Sequence, residues 1–362
     1  MHLDLIAGTR PNFVKIAAII HAIKNYGKGI RYRFIHTGQH YDDSLSGNIF
    51  KDLELPAPHF NLGVGSGSQT EQTSAIMLAY EKLLLEEKPD LCLVVGDVTS
   101  SMACAISAKK LNIKVAHVEA GLRSYDWSMP EEVNRMLIDS IGDYFFTTTP
   151  QATENLIDSG KDKGNIFFVG NTMIDTLLRF QTKFKAPEIW AQLKLKPKEF
   201  LLLTLHRPGN VDEERQLETT INTILDNSRN LPLIFPVHPR TAEVLKKLNF
   251  KTENLFLIAP LGYLEFNFLV KNAKAVLTDS GGITEETTVL GIPCLTLREN
   301  TERPETVKLG TNQIVGTKPE AIRKALELLF DKNWKKGSIP ERWDGKAGKR
   351  IVKVLSGKHF TF

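Results

Sequence analysis

The sequence predicts an α/β protein of two Rossmann-like, doubly wound domains facing a central cleft, and three observations carry that prediction. Short β-rich apolar runs alternate with amphipathic segments of helical spacing, which is how a parallel sheet is written. The alternation stops in the polar stretch after GNTMIDTLLRFQTKF and then starts again. At 362 residues the chain also exceeds the length at which one hydrophobic core usually stops growing.

The first set of strands is LDLIAG, RYRFIHTG, LCLVVGD, VAHVEAG and YFFTTT; the second is FLLLTLHR, LPLIFPVHP, NLFLIAP, AVLTDSGG and IPCLTLR. The boundary is expected between residues 168 and 185, giving domains 1–170 and 171–340, then a closing segment 341–362. In that tail Trp334, Trp343 and several Lys and Arg imitate a nucleic-acid patch, but IVKVL after KAGKR reads as the apolar side of one helix with a solvated basic face.

A net charge of +4 from nearly balanced acids and bases speaks against nucleic-acid coating and suits a small anionic ligand. Cys92, Cys104 and Cys294 are few, distant and set among apolar residues, so they spell neither a disulfide framework nor a metal site; a reduced, cytoplasmic setting is expected. Asp4 interrupts the amino-terminal apolar run, and no later run approaches bilayer length, so no membrane partner is expected.

In open α/β sheets ligands bind beyond the carboxyl ends of the strands, so the polar residues that follow each apolar run are the candidates. Arg10 and Lys15 follow the first run in GTRPNFVK, where no G-x-G-x-x-G fingerprint stands and hence no nicotinamide site is expected. Arg in a first helical turn opposes the helix dipole unless an anion faces it. GVGSGS at 63–68 follows a loop and reads as a mobile lip rather than a phosphate cradle. Asp97 either caps the next helix or serves a site. Glu119 ends its strand too early to be a cap, and Glu131 and Glu132 open a helix about 100° apart, so that one can face a site while the other faces water.

His206 and Arg207 end a strand of the second domain, whereas His238, between Val237 and Pro239, reads as structural. In AVLTDSGGITEE a strand enters Asp279-Ser280-Gly281-Gly282 and a helix begins. This leaves bare amides and a positive dipole end fit for a diphosphate, with Glu286 one turn inside to meet ribose hydroxyls. Arg303 adds a guanidinium at a Pro-fixed turn. Together these suggest that the second domain holds a nucleotide diphosphate and the first holds what is attached to it.

The ordered set GTRPNFVK, TGQH, GDVTS, HVEAGLRS, MPEEVNR, LHRPGN, DSGGITEE and TERPE resembles the non-hydrolysing UDP-N-acetylglucosamine 2-epimerases, which share the GT-B fold. That resemblance implies catalytic roles for Asp97, Glu119, Glu131 and His206. It implies UDP binding by Arg10, Lys15, Ser280, Gly281, Gly282, Glu286 and Arg303. It further implies an isomerase acting on a UDP-sugar without cofactor or metal, a homodimer, and a last helix that returns to the first domain. Some bacterial relatives bind an activator beside TGQH; here Gln39-His40 runs into YDDSLSG rather than their Gln- and Met-containing continuation. Arg123 and Arg135 are expected to restrain the charge of the clustered acids.

Overall fold

The structure, a computed structural model, describes residues 1–38, 49–65, 67–211, 213–237, 241–243, 245, 248 and 253–357. The chain divides into two compact units, one formed by residues 1–179 with 341–362 and the other by residues 180–340.

In the first unit the strands are β1 (His2–Ala7), β2 (Arg31–His36), β3 (Phe60–Asn61), β4 (Leu91–Val95), β5 (Lys114–Ala120), β6 (Tyr144–Thr147) and β7 (Ile166–Phe168). Among the described residues they make one parallel sheet in the order β3-β2-β1-β4-β5-β6-β7. The helices α1 (Arg10–Tyr26), α2 (Gln69–Glu86), α3 (Thr99–Lys110), α4 (Pro130–Ile141), α5 (Pro150–Asp158) and α6 (Thr172–Phe180) connect or follow them. Strand order reverses between β1 and β4, the place where the chain leaves the sheet on opposite sides and a crevice opens at the strand ends.

Buried strands should be apolar on both faces, and β4 is. Asp4 is the exception in β1. Parallel register sets it beside Arg33 of β2, whose Nε and Nη2 reach its two oxygens at 2.7 and 2.8 Å while the Tyr80 hydroxyl donates at 2.9 Å. A carboxylate so paired can sit in a core that would otherwise reject it. The buried thiols of Cys92, Cys104 and Cys294 are raised by burial above their usual range, that of Cys294 to about 12.

The second unit repeats the plan. After α7 (Glu188–Gln192) come β8 (Leu201–Thr204), α8 (Pro208–Val211), α9 (Glu214–Asp226), β9 (Leu233–Pro236), β10 (Leu255–Ile258), α10 (Tyr263–Asn272), β11 (Ala275–Thr278), α11 (Gly281–Leu290), β12 (Cys294–Thr296), α12 (Pro304–Lys308), β13 (Asn312–Ile314) and α13 (Pro319–Phe330). The sheet order is β10-β9-β8-β11-β12-β13, again reversing where its first strand meets its fourth. One face buries Leu217, Ile221, Leu326 and Leu329 and the other Leu269, Val270 and Ile292, so both faces of the sheet are covered.

The last helix, α14 (Ala347–Leu355), packs on α1 of the first unit. Ile351, Val352 and Leu355 are buried while Lys349 and Lys353 are exposed, as the tail's pattern predicts. Gly348 is required because a Cβ there would lie 2.6 Å from the Ala18 carbonyl oxygen. Asp175 of α6 accepts the Ala347 and Gly348 amides at 3.0 and 2.7 Å, acting as a cap supplied from another helix. Among the described residues no helix is long and apolar enough to cross a membrane.

Burial pushes the Asp175 carboxyl up to about 6 from 3.8. The folded protein therefore holds this proton more tightly than the unfolded chain. Asp175 accordingly favours folding most below about pH 4 and loses that contribution as pH rises through about 6, by up to about 3 kcal/mol. Urea unfolding of the parent and Asp175→Asn at both ends of that window should show a smaller pH-linked fall in the variant.

Candidate functional site

In the first unit the residues after β1, β4 and β5 converge at the point of strand reversal. Gly8 ends β1 so tightly packed that a Cβ would lie 2.0 Å from Ser100 Oγ and 2.3 Å from Thr37 Oγ1. Asn12 then locks the β1–α1 turn. Its Oδ1 accepts from the Thr9 amide and hydroxyl, and its Nδ2 donates to the Val95 carbonyl at the end of β4. Arg10, half-buried, is the first residue of α1, and Lys15 lies one turn further on.

Glu119 sits in left-handed backbone, φ +74°, where the β5–β6 pairing slips between Val118 and Ala120. A bulge of this kind re-aims one side chain out of the alternation of a strand. A non-glycine residue held there stores strain of the sort that gathers at functional sites. The carboxylate so aimed is 4 % exposed and hydrogen-bonds the Lys15 ammonium, itself buried. Lys15 thus meets a partner within the protein, an intramolecular ion pair that sequence spacing does not reveal.

Gly96, φ +63°, turns the chain after β4, with its amide donating to the Val118 carbonyl at 2.9 Å. It must be glycine for space as well, because a Cβ would lie 2.7 Å from Lys15 Nζ and 2.9 Å from Glu119 Oε2. Asp97 follows. Its carboxylate is hydrogen-bonded by Arg135, and its carbonyl accepts from Asn134 Nδ2 at 2.8 Å. Arg135 also donates to Glu132 at 2.9 Å. Glu132 is buried and accepts from the Ser124 amide and hydroxyl and from the Tyr125 amide. Of the two glutamates that open α4, it is therefore Glu132 that latches the preceding loop and Glu131 that is exposed.

Arg135 restrains Asp97 as its position suggests, but Arg123 does not pair with the expected acids. It donates to the buried Asp139 at 2.6 Å, which also accepts from His117 Nδ1 at 2.7 Å and the Gly121 amide at 3.1 Å. Burial alone would raise the Asp139 carboxyl; His117 and Arg123 outweigh it and hold it below the usual carboxylate value. His117 opens the HVEAGLRS segment and Asp139 lies in the third turn of α4, and nothing in their spacing marks them as partners.

In the second unit the parallel register Thr204↔Thr278 sets the end of β8 beside the end of β11. Asp279, fully buried, accepts from His206 Nδ1 at 2.7 Å. It also accepts from the His206 and Arg207 amides and from Asn210 Nδ2. Burial pushes this carboxyl up, and these donors more than offset it, so its pKa lies below the ordinary value. Since Asp279 only accepts, Nδ1 carries hydrogen and the imidazole is oriented with its ring largely exposed, the side chain at 62 %.

Ser280 is the N-cap of α11, and its side chain makes no capping hydrogen bond. Gly281 and Gly282 begin the helix with no acidic residue in the first turn. A Cβ at Gly281 would lie 2.3 Å from Glu302 Oε1, so the Glu302 carboxylate would have to move. Glu286 is buried and meets Asn267 Nδ2 at 3.4 Å, while Arg303 is buried against Glu285, Nε to Oε1 2.7 Å. Ser68, the last residue of GVGSGS, forms a capping box with Glu71 that starts α2. Ser66, Gln39, His40 and His238 lie outside the described residues.

The chemistry open to these groups is proton transfer by carboxylates held beside cations in the first unit, and anion binding beside an oriented imidazole in the second. With that geometry in hand, the family model described as UDP-N-acetylglucosamine 2-epimerase matches residues 21–356. A Methanocaldococcus jannaschii UDP-N-acetylglucosamine 2-epimerase is 42% identical over 99% of this chain and 100% of its own. A Pseudomonas aeruginosa UDP-2,3-diacetamido-2,3-dideoxy-D-glucuronate 2-epimerase is 36% identical over 98% of this chain and 99% of its own. Among solved structures, the M. jannaschii UDP-GlcNAc 2-epimerase in complex with UDP-GlcNAc and UDP superposes with a TM-score of 0.88 at 43% identity, covering 98% of this chain and 99% of that one.

Gly96→Ala should force the Lys15–Glu119 pair apart and strain the turn, costing more stability than the about 1–2 kcal/mol of left-handed backbone strain alone. Denaturant unfolding checks this, with Gly29→Ala, also at positive φ but with nothing within 4 Å of its Cβ position, as the control for backbone strain alone.

Proposed function

Since the chain belongs to the UDP-N-acetylglucosamine 2-epimerase family and is an isomerase, we propose that it interconverts UDP-N-acetylglucosamine and UDP-N-acetylmannosamine by eliminating UDP and adding it back. The C2 proton leaves to a protein base as the C1–O bond to UDP breaks, giving a 2-acetamidoglucal. Re-addition of UDP at C1 with protonation of C2 from the opposite face completes the inversion. The C2 proton is acidic only as C1 gains oxocarbenium character, so leaving-group support must act together with the base. A preorganised donor contributes on the order of a hundredfold to a thousandfold and a positioned base on the order of a hundredfold or more, so the reaction needs both.

In this reading Glu119, Glu131 and Asp97 handle the proton on the two faces of C2, with Lys15 and Arg135 hydrogen-bonded to Glu119 and Asp97. Ser280, Gly281, Gly282 and Arg303, with Arg10, receive the diphosphate; Glu286 meets the ribose; and His206, oriented by Asp279, serves the departing phosphate. The observation that carries the reading is the left-handed backbone of Glu119, which turns a carboxylate out of a strand at the sheet's point of reversal and beside a buried cation. A homodimer working in the cytoplasm belongs to the same proposal, supported by the family likeness.

The Pseudomonas relative favours one second reading, a UDP-linked 2,3-diacetamido uronic acid as substrate. Incubating the protein with each UDP-sugar in deuterium oxide and following C2 by NMR separates the two, since only the true substrate exchanges at a useful rate. Glu119→Gln should lower that exchange by at least about a hundredfold while UDP affinity, read by calorimetry, stays within about threefold. Normal exchange in this variant would remove Glu119 from the proton transfer.

A further inference from the structure

His117 is fully buried, and each of its ring nitrogens faces an acceptor. Nδ1 lies 2.7 Å from Asp139 Oδ1 and Nε2 lies 3.1 Å from the Gly96 carbonyl oxygen. A backbone carbonyl cannot donate and a carboxylate accepts, so each ring nitrogen is placed to donate a hydrogen bond. A buried polar ring is kept in a core only when its nitrogens are paired, and here both are.

The placement of these partners is specific. His117 precedes Glu119 by two residues on β5, and Gly121 follows it by two. Asp139 holds both sides of the bulge, the imidazole on one flank and the Gly121 amide, at 3.1 Å, on the other. From its other nitrogen His117 holds the carbonyl of Gly96, the residue whose positive φ turns the chain into Asp97. The acids at the ends of two different strands are thereby tied through one imidazole to one helix carboxylate.

We propose that His117, seated by Asp139, is a positioning residue that fixes the spacing between the Glu119 and Asp97 carboxylates, with no contact to substrate. This rests on the reading of those two acids as the proton-handling groups. A misplacement of about 1 Å costs on the order of a hundredfold in turnover, so the effect should fall on kcat and spare binding.

The test compares His117→Gln, whose amide reaches one neighbour at most, and Asp139→Asn, which keeps an acceptor for Nδ1. Parent and Glu119→Gln serve as references. His117→Gln should lose about a hundredfold in kcat for C2 exchange with KM within about threefold, and Asp139→Asn should lose less. Parent-like kcat in folded His117→Gln would overturn the proposal while leaving the proton-transfer reading intact. Parent-like exchange in Glu119→Gln would instead undo that reading. Should His117→Gln fail to fold, long-range nitrogen NMR of the histidine-labelled parent decides. The proposal expects one ring that bears hydrogen on both nitrogens, each bonded to its acceptor; the absence of such a ring would overturn it.

Discussion

The buried pairing of Lys15 with Glu119 is the interaction on which the arrangement of strand ends in the first unit depends. A buried carboxylate needs a partner, and removing one member of a buried ion pair costs about 3–5 kcal/mol because the other is left uncompensated. Lys15 comes from the first helix and Glu119 from the fifth strand, so the pair also fixes how α1 sits against the sheet's point of reversal. The absence of a side chain at Gly96 makes room for it. A strained backbone, a bare glycine and a buried cation are each unfavourable alone; together they present one acid in one direction.

The second unit solves a different problem with the same topology. Asp279 gathers its donors from the chain just beyond the neighbouring strand and so converts a parallel register into an imidazole orientation. Directly after it the helix starts without a side-chain cap from Ser280 and without an acid in its first turn, an arrangement that suits an anion.

Much of this was legible in the sequence. The two sheets follow from the alternation of apolar runs and helical segments, and the candidate segments were picked by the rule that ligands gather beyond strand ends. The pairings were hidden, for a physical reason. Asp4 with Arg33, Glu119 with Lys15 and His206 with Asp279 are set by register between strands or by helix placement, which no local pattern encodes. Arg123 illustrates the limit. Its place near three acids suggested one of them as partner, whereas it turns to Asp139, sixteen residues on, across the β5–α4 connection. Helical spacing alone likewise leaves Glu131 and Glu132 undistinguished, and it is Glu132 that the loop amides of Ser124 and Tyr125 claim.

The order in which the chain visits its two units has a consequence for biosynthesis. Residues 180–340 are continuous, whereas the first unit is completed by α14, which arrives after them. On the ribosome the later unit can therefore close its core as it emerges, while the earlier one waits with the α1 surface around Ala18 and Ala22 uncovered until Gly348 and Ile351 have been made. Folding chaperones should find their longest-lived target on that helix.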